Sequence, residues 1–212
     1  MKKVIYLFIS LFCLFSEAGA QNVASILDKA ASIYEKSNGL SAAFTMQASS
    51  DMDNVSESFD GTIDIKGDKF VLKTPDMVTW FDGTTQWTYL EQNEEVNVSN
   101  PTGEELQMTN PTLLLRSYKE GFNAKYMGSS TAFNGKTAHD IELTPKKKGT
   151  IVKIDLQVDK FSNLPVSISI TAKNGISNTI RIGKMKTGVN QPDSFFVFNE
   201  KEYPHAEVID LR

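Results

Sequence analysis

Apolar and polar residues alternate with a period of two over about eleven stretches between residues 40 and 198. That period marks β-strands with one dry face and one wet face. Leu40, Ala42, Phe44, Met46 and Ala48 interleave with Ser41, Ala43, Thr45 and Gln47. After a polar turn, Val55, Phe59, Ile63 and Ile65 form a second strand in which Gly61 permits a bend. Phe70 and Leu72 share one face of the next strand, and Met77–Phe81 is apolar on both faces. An Asp82-Gly83 turn leads into Gln86–Leu90, where Trp87 and Tyr89 point the same way, and Val96 and Val98 close the set. Strands resume later in the chain. Ala124–Gly128 and Ala138–Thr144 flank an Asn134-Gly135 turn, followed by the alternating sets Val152, Ile154, Leu156, Val158, then Val166, Ile168, Ile170, then Ile180 and Ile182. Phe195–Phe198 is expected to begin a final extended stretch.

Two segments carry helical spacing instead. Over Asn22–Asn38, Val23, Ile26, Leu27, Ala30, Ile33 and Tyr34 recur at three and four, while Asp28, Lys29 and Glu35 face away. Asn22 can cap this helix, and Ser37-Asn38-Gly39 can end it with positive φ. Between Asn110 and Glu120, a capping Asn, Pro111 in the first turn and the run Leu113, Leu114, Leu115 with Tyr118 make a short helix with a broad apolar surface. Glu104–Met108 adds a candidate extra turn.

These elements predict an α+β, mainly β fold. A strongly curved antiparallel sheet, an incomplete β-barrel, is covered by the N-terminal helix and a short mid-chain lid helix. Two interiors satisfy the pattern. One is an apolar hollow under the helices. The other is a filled core in which Trp80, Trp87, Tyr89, Phe44 and Phe59 pack on one another.

The start of the chain reads as an export signal. Lys2 and Lys3 precede the apolar run Val4–Phe15, and Ala18-Gly19-Ala20 supplies a cleavage site. Residues 1–20 are therefore expected to be removed, leaving a single domain over 21–212 outside the cytoplasm. Cys13 is the only cysteine and lies inside the leader; Phe12 before it argues against lipidation, so no disulfide or thiol nucleophile is expected afterwards. The net charge of −4 becomes about −5 without the leader. That acidity offers no general attraction to nucleic acid or to anionic lipid headgroups. The one basic run, Lys146-Lys147-Lys148, ends in Gly149 and reads as a solvated hairpin turn, with a docking spot for an acidic partner as the alternative.

Catalytic constellations are sparse, so no enzyme, cofactor or metal is expected. His139 and His205 are the two histidines. Asp140 follows His139 on a strand, so the two side chains point to opposite faces. No Gly-x-Ser-x-Gly elbow, His-Glu-x-x-His helix or phosphate loop occurs.

A set of short motifs resembles the LolA-type periplasmic outer-membrane lipoprotein carriers. Asp82-Gly83-x-Thr85-x-Trp87-x-Tyr89 is similar to the family's central hairpin. Ala43-Phe44-Thr45-Met46-Gln47, Gly61-Thr62-Ile63-x-Ile65-Lys66, Asn110-Pro111-x-Leu113-Leu114-Leu115, Leu143-Thr144-Pro145-Lys146 and Asp193-x-x-Phe196-x-Phe198 follow in the family's order. The resemblance implies a monomeric carrier that takes acylated lipoproteins from an inner-membrane lipoprotein-releasing transporter to an outer-membrane acceptor. The alternative on the same fold is a lipid- or lipoprotein-binding sensor or regulatory module. Read with strand parity, it assigns lipid contact to Phe44, Met46, Phe59, Ile63, Ile65, Phe70, Leu72, Trp80, Trp87, Tyr89, Leu113, Leu114, Leu115, Ile154 and Leu156. One departure stands out. The family's lid-latching arginine after the second strand is replaced by Lys66-Gly67-Asp68-Lys69, where Lys69 supplies a point charge without the guanidinium fork.

Overall fold

A computed structural model describes residues 23–50, 56–101, 106 and 111–212, without the side chains of 111–113, 116 and 117. The expected leader, the Asn22 and Asn110 caps, Val55 and the turn before it, and most of the Glu104–Met108 turn lie outside those residues.

Helix α1 (23–36) opens the described chain, and its Val23, Ile26, Leu27 and Ala30 are buried as the spacing predicts. The turn into the sheet depends on glycine. Asn38 and Gly39 both take positive φ, and a Cβ on Gly39 would stand 2.1 Å from the Val189 carbonyl oxygen. That close approach lets the amides of Gly188 and Val189 donate to the Gly39 carbonyl.

Twelve strands follow among the described residues, in one sheet. They are β1 (Leu40–Ser50), β2 (Ser56–Lys66), β3 (Lys69–Lys73), β4 (Met77–Phe81), β5 (Gln86–Leu90) and β6 (Glu95–Ser99), then, after helix α2 (Pro111–Gly121), β7 (Phe122–Thr131), β8 (Thr137–Pro145), β9 (Ile151–Asp159), β10 (Pro165–Ala172), β11 (Ile176–Thr187) and β12 (Glu207–Asp210). The order across the sheet is β12-β6-β5-β4-β3-β2-β1-β11-β10-β9-β8-β7. Neighbours are antiparallel apart from β12, which lies parallel to β6 as an edge that the alternation pattern did not announce. The sheet is curved and stays open between its β12 and β7 edges.

One further expectation is corrected. Phe195 does not begin a strand, because Asp193–Phe196 forms a single 3-10 turn after Pro192, whose carbonyl accepts from the Phe195 amide. Extended backbone returns only at Val197.

Register identifies the inner face. Leu40, Ala42, Phe44 and Met46 of β1 stand opposite Ile65, Ile63, Gly61 and Phe59 of β2. On the other side Phe44 and Met46 face Ile182 and Ile180 of β11. Ile168–Ile180, Leu156–Ile168 and Ile141–Leu156 carry the row on to β8. Most of these residues join α1 and α2 in one apolar core. Gly61 matters here because a Cβ would meet Phe44 Cζ at 2.4 Å, so the aromatic ring lies across the bare glycine.

Candidate functional site

The concave face is apolar from β3 across β1 to β8, but its cover is uneven. At the end where β1 begins, Leu40, Ala42, Ile63, Ile65 and Phe70 are buried beneath the helices. Towards the other end burial falls away. Phe44, Met46, Phe59, Ile170 and Ile180 are half-buried, and Ile176 is exposed. Water-exposed apolar surface of this kind carries a free-energy cost of about 25 cal/mol per Å², which any apolar occupant relieves.

Helix α2 covers the adjoining part of this face. Its Leu114, Leu115 and Tyr118 are only 5%, 3% and 4% exposed and belong to the same core as the strand residues. The space beneath α2 is thus filled by the helix's own side chains. Burying these side chains favours docking by roughly 5 kcal/mol in total.

The helix is also tied to α1. The Tyr118 hydroxyl donates to Asp28 Oδ1 at 3.2 Å, and Lys119 Nζ pairs with Asp28 Oδ2 at 2.8 Å. Burial first, then the Asp28 charge and the hydrogen bond to it, push the Tyr118 phenol up to about 12. The expected substitute latch is placed elsewhere. Lys66 and Lys69 both pair with Asp193, at 3.3 and 2.9 Å, and Lys66 also donates to the Gln191 carbonyl. The two lysines hold the Asp193 carboxyl below its usual range and pin the C-terminal segment, with Lys69 the larger influence.

Among the expected contact residues, Ile63, Ile65, Phe70, Ile154, Leu156, Leu114 and Leu115 lie in the main core, with Phe44 and Leu72 packed against it. Met46 and Phe59 form a cross-strand pair on the half-covered part of the same face. The Leu113 side chain lies outside the described residues.

Trp80, Trp87 and Tyr89 require a correction, because they do not share that face. Val71 stands opposite Trp80, Trp80 opposite Trp87, and Val78 opposite Tyr89, all on the outer side. There they form a second apolar cluster with Phe196, Phe198 and Tyr203. Tyr203 stacks at 5.4 Å from Trp80 and 4.7 Å from Tyr89, and Phe198 at 5.5 Å from Trp80. The C-terminal segment therefore makes this stretch of outer face dry, while the corresponding inner positions hold Thr79, Thr88 and Asn97.

The hairpin motif now has a physical meaning. Asp82 Oδ1 accepts from the amides of Thr84 and Thr85, both at 2.8 Å, and Gly83 takes φ 105°. The following aromatics are the platform for the chain end.

Sequence reasoning missed the Asp28–Tyr118–Lys119 tie, whose members are separated by about ninety residues. It also left Ile168, Ile170, Ile180 and Ile182 out of the contact set, although their alternation was plain. His139 accepts or shares a hydrogen bond with the Tyr126 hydroxyl at 3.1 Å, whereas Asp140 accepts from Ser130 and Gln157. Burial first, then Lys160, lowers the His139 pKa.

Comparison with known proteins adds four findings. A curated protein of Methanocaldococcus jannaschii, itself uncharacterized, is 28% identical over 135 residues, which is 63% of this chain. The matched stretch is 38% of that relative's length. An uncharacterized conserved protein from Thermus thermophilus superposes with a TM-score of 0.59 at 13% identity, over 88% of this chain and 97% of its own. A DUF1329 family protein from Desulfovibrio piger gives 0.51 at 12% identity, over 84% and 97%. The two structural likenesses are of fold. Finally, the family model described as outer membrane lipoprotein carrier protein LolA matches residues 13–175.

Proposed function

The chain belongs to the outer membrane lipoprotein carrier protein LolA family, and from that premise we propose that it is a periplasmic carrier of acylated lipoproteins. Members of this family bind lipids or lipoproteins in a hollow and work outside the cytoplasm. In this reading residues 1–20 direct export and the remaining chain is the carrier, acting as a monomer without a cofactor. It takes its cargo from an inner-membrane releasing transporter and delivers it to the outer membrane, to an acceptor where one is present.

The observation that supports this best is the apolar concave face, half-covered at one end and closed at the other by a tied helix. An acyl chain exposed to water costs about 0.8 kcal/mol per methylene, or on the order of 10 kcal/mol for a long chain. Lid docking recovers roughly half that, from Leu114, Leu115 and Tyr118. Cargo and lid compete for one surface, so the chain binds with a modest surplus and releases when a better apolar site is offered. Phe44, Met46, Phe59, Ile63, Ile65, Phe70, Leu72, Ile154 and Leu156 are the strand residues proposed to meet acyl chains.

Two experiments test the reading. Native mass spectrometry of the protein taken from its periplasm is expected to show added mass matching acylated peptide or lipid. Depletion of the protein in its own cell is expected to leave lipoproteins in the inner membrane. Unchanged sorting after depletion excludes the carrier role.

A further inference from the structure

A cleft of about 580 Å³ is lined mainly by residues of the opposite face of the sheet, with Phe44 of the inner row also in its lining. Its position follows from register. Lys73 of β3 stands opposite Thr62 of β2, and Thr62 opposite Ala43 of β1. All three alternate with core-facing neighbours, so they point away from the core. A β-bulge in β11 inserts an additional residue opposite Ala43, which brings Gly183 and Lys184 to the same row. In the next row Asp60, Thr45 and Arg181 are aligned on β2, β1 and β11.

A wall is added by the β7–β8 hairpin. Its Phe133, half-exposed, lies 6.0 Å from the Arg181 guanidinium. Gly183 leaves the floor bare, and Gly61 adds to it with the Phe44 ring lying across the glycine. Lys73, Arg181 and Lys184 converge on this space, and none has a carboxylate partner among the described residues. The one carboxylate, Asp60, accepts from the Thr45 hydroxyl at 2.7 Å. Three cations against one acid give a local excess of positive charge on a chain whose net charge is −4. Elsewhere exposed lysines of this chain do find acids, as Lys119 finds Asp28 and Lys153 finds Asp155.

We propose that this cleft is a second binding site, for a phosphate-bearing anion. Arg181 offers a planar fork of donors suited to phosphate oxygens, and Lys184 and Lys73 add flexible ammonium donors. Phe133 gives an apolar wall for whatever carries the phosphate. Asp60 disfavours a second anion beside Thr45, so the site takes one compact phosphate group rather than a polyanion. The same chemistry is presented by a free phosphate and by a phospholipid headgroup. Its three cations stand on the far side of the sheet from the acyl surface, and Phe44 is the residue the two surfaces share.

The test uses the full mature protein with two probes, inorganic phosphate and vesicles of phosphatidylglycerol in phosphatidylcholine. Two variants are compared with the wild type, Arg181→Gln with Lys184→Gln, and a control with Lys146, Lys147 and Lys148 all changed to Gln. These side chains are exposed, and circular dichroism checks that each variant keeps the fold. Calorimetry and vesicle co-sedimentation are expected to show saturable binding that weakens at least tenfold in the Arg181/Lys184 variant and stays unchanged in the control. Binding to vesicles alone assigns the ligand to lipid headgroups, and binding to inorganic phosphate alone assigns it to a soluble phosphate. Absence of saturable binding to either probe overturns the proposal, as does equal loss in both variants.

Discussion

Replacing Asp28 by Ala removes the tie between α1 and α2 while leaving the apolar contacts of α2 intact. The ion pair to Lys119 joins side chains that are 57% and 50% exposed, so it contributes only about 0.5 kcal/mol. The Tyr118 hydroxyl is more sheltered, and its hydrogen bond to a carboxylate is worth about 1 kcal/mol at its 3.2 Å length. Together these weaken lid docking by about 1.5 kcal/mol, a tenfold rise in the open population. Docking of Leu114, Leu115 and Tyr118, at roughly 5 kcal/mol, is the larger contribution and keeps the lid mostly shut. Hydrogen–deuterium exchange read by mass spectrometry is the assay. Asp28→Ala is expected to speed exchange over residues 111–121 about tenfold, with β8 and β9 unchanged. Tyr118→Phe is expected to give most of that effect and Lys119→Ala the smaller part. Exchange over 111–121 within twofold of wild type refutes the tie, and a uniform acceleration across the sheet refutes the claim that it acts on the lid.

Further expectations are open to test. Met46→Asp places a charge on the half-covered part of the concave face, where water still reaches it. Its urea midpoint should shift by less than about 1 kcal/mol of stability, while affinity for a fluorescent fatty-acyl probe falls at least tenfold. Gly61→Val sets a side chain against Phe44 Cζ and the Lys73 carbonyl, and should cost about 2 kcal/mol in the same denaturation assay. Asp159 is buried; burial alone would raise its pKa, but Lys136 at 3.0 Å and the amides of Phe161 and Ser162 win and lower it. A depressed carboxyl stabilises the fold above its unfolded value of 3.8 and loses that contribution as pH falls through the folded value. Melting temperatures of wild type should therefore drop more steeply below pH 4 than those of Asp159→Asn; parallel curves would contradict this. Both tryptophans lie under the C-terminal segment, so acyl binding should leave their emission maximum unchanged, whereas Tyr203→Ala should shift it to the red.

The sheet was legible because a period of two survives wherever one face is dry and the other wet. It led to the right curved, open architecture and to the concave position of Phe44, Ile63, Phe70 and Leu156. Parity failed at Trp80, Trp87 and Tyr89 because both faces of β4 are apolar, and the largest aromatics there point outward. Only the C-terminal segment explains this. Phe198 and Tyr203 cover the outer face from more than a hundred residues away, and no local pattern announces them. The Asp28 tie was hidden for the same reason. Its carboxylate sits on the polar side of an ordinary amphipathic helix, and its partners lie on another helix. The Lys66 and Lys69 pairs with Asp193 show the converse, since the local charges were visible but their destination was not.

The central claim is that acyl chains lie on the concave face and exchange places with α2. A lipopeptide bearing a photoreactive diazirine in its acyl chain tests this directly when it is cross-linked to the mature protein and the adducts are mapped by mass spectrometry. Adducts are expected on Phe44, Met46, Phe59, Ile170, Ile180 and the 111–121 helix. Adducts confined to the Trp80–Tyr203 face, or none above the level of a water-soluble diazirine, would contradict the account.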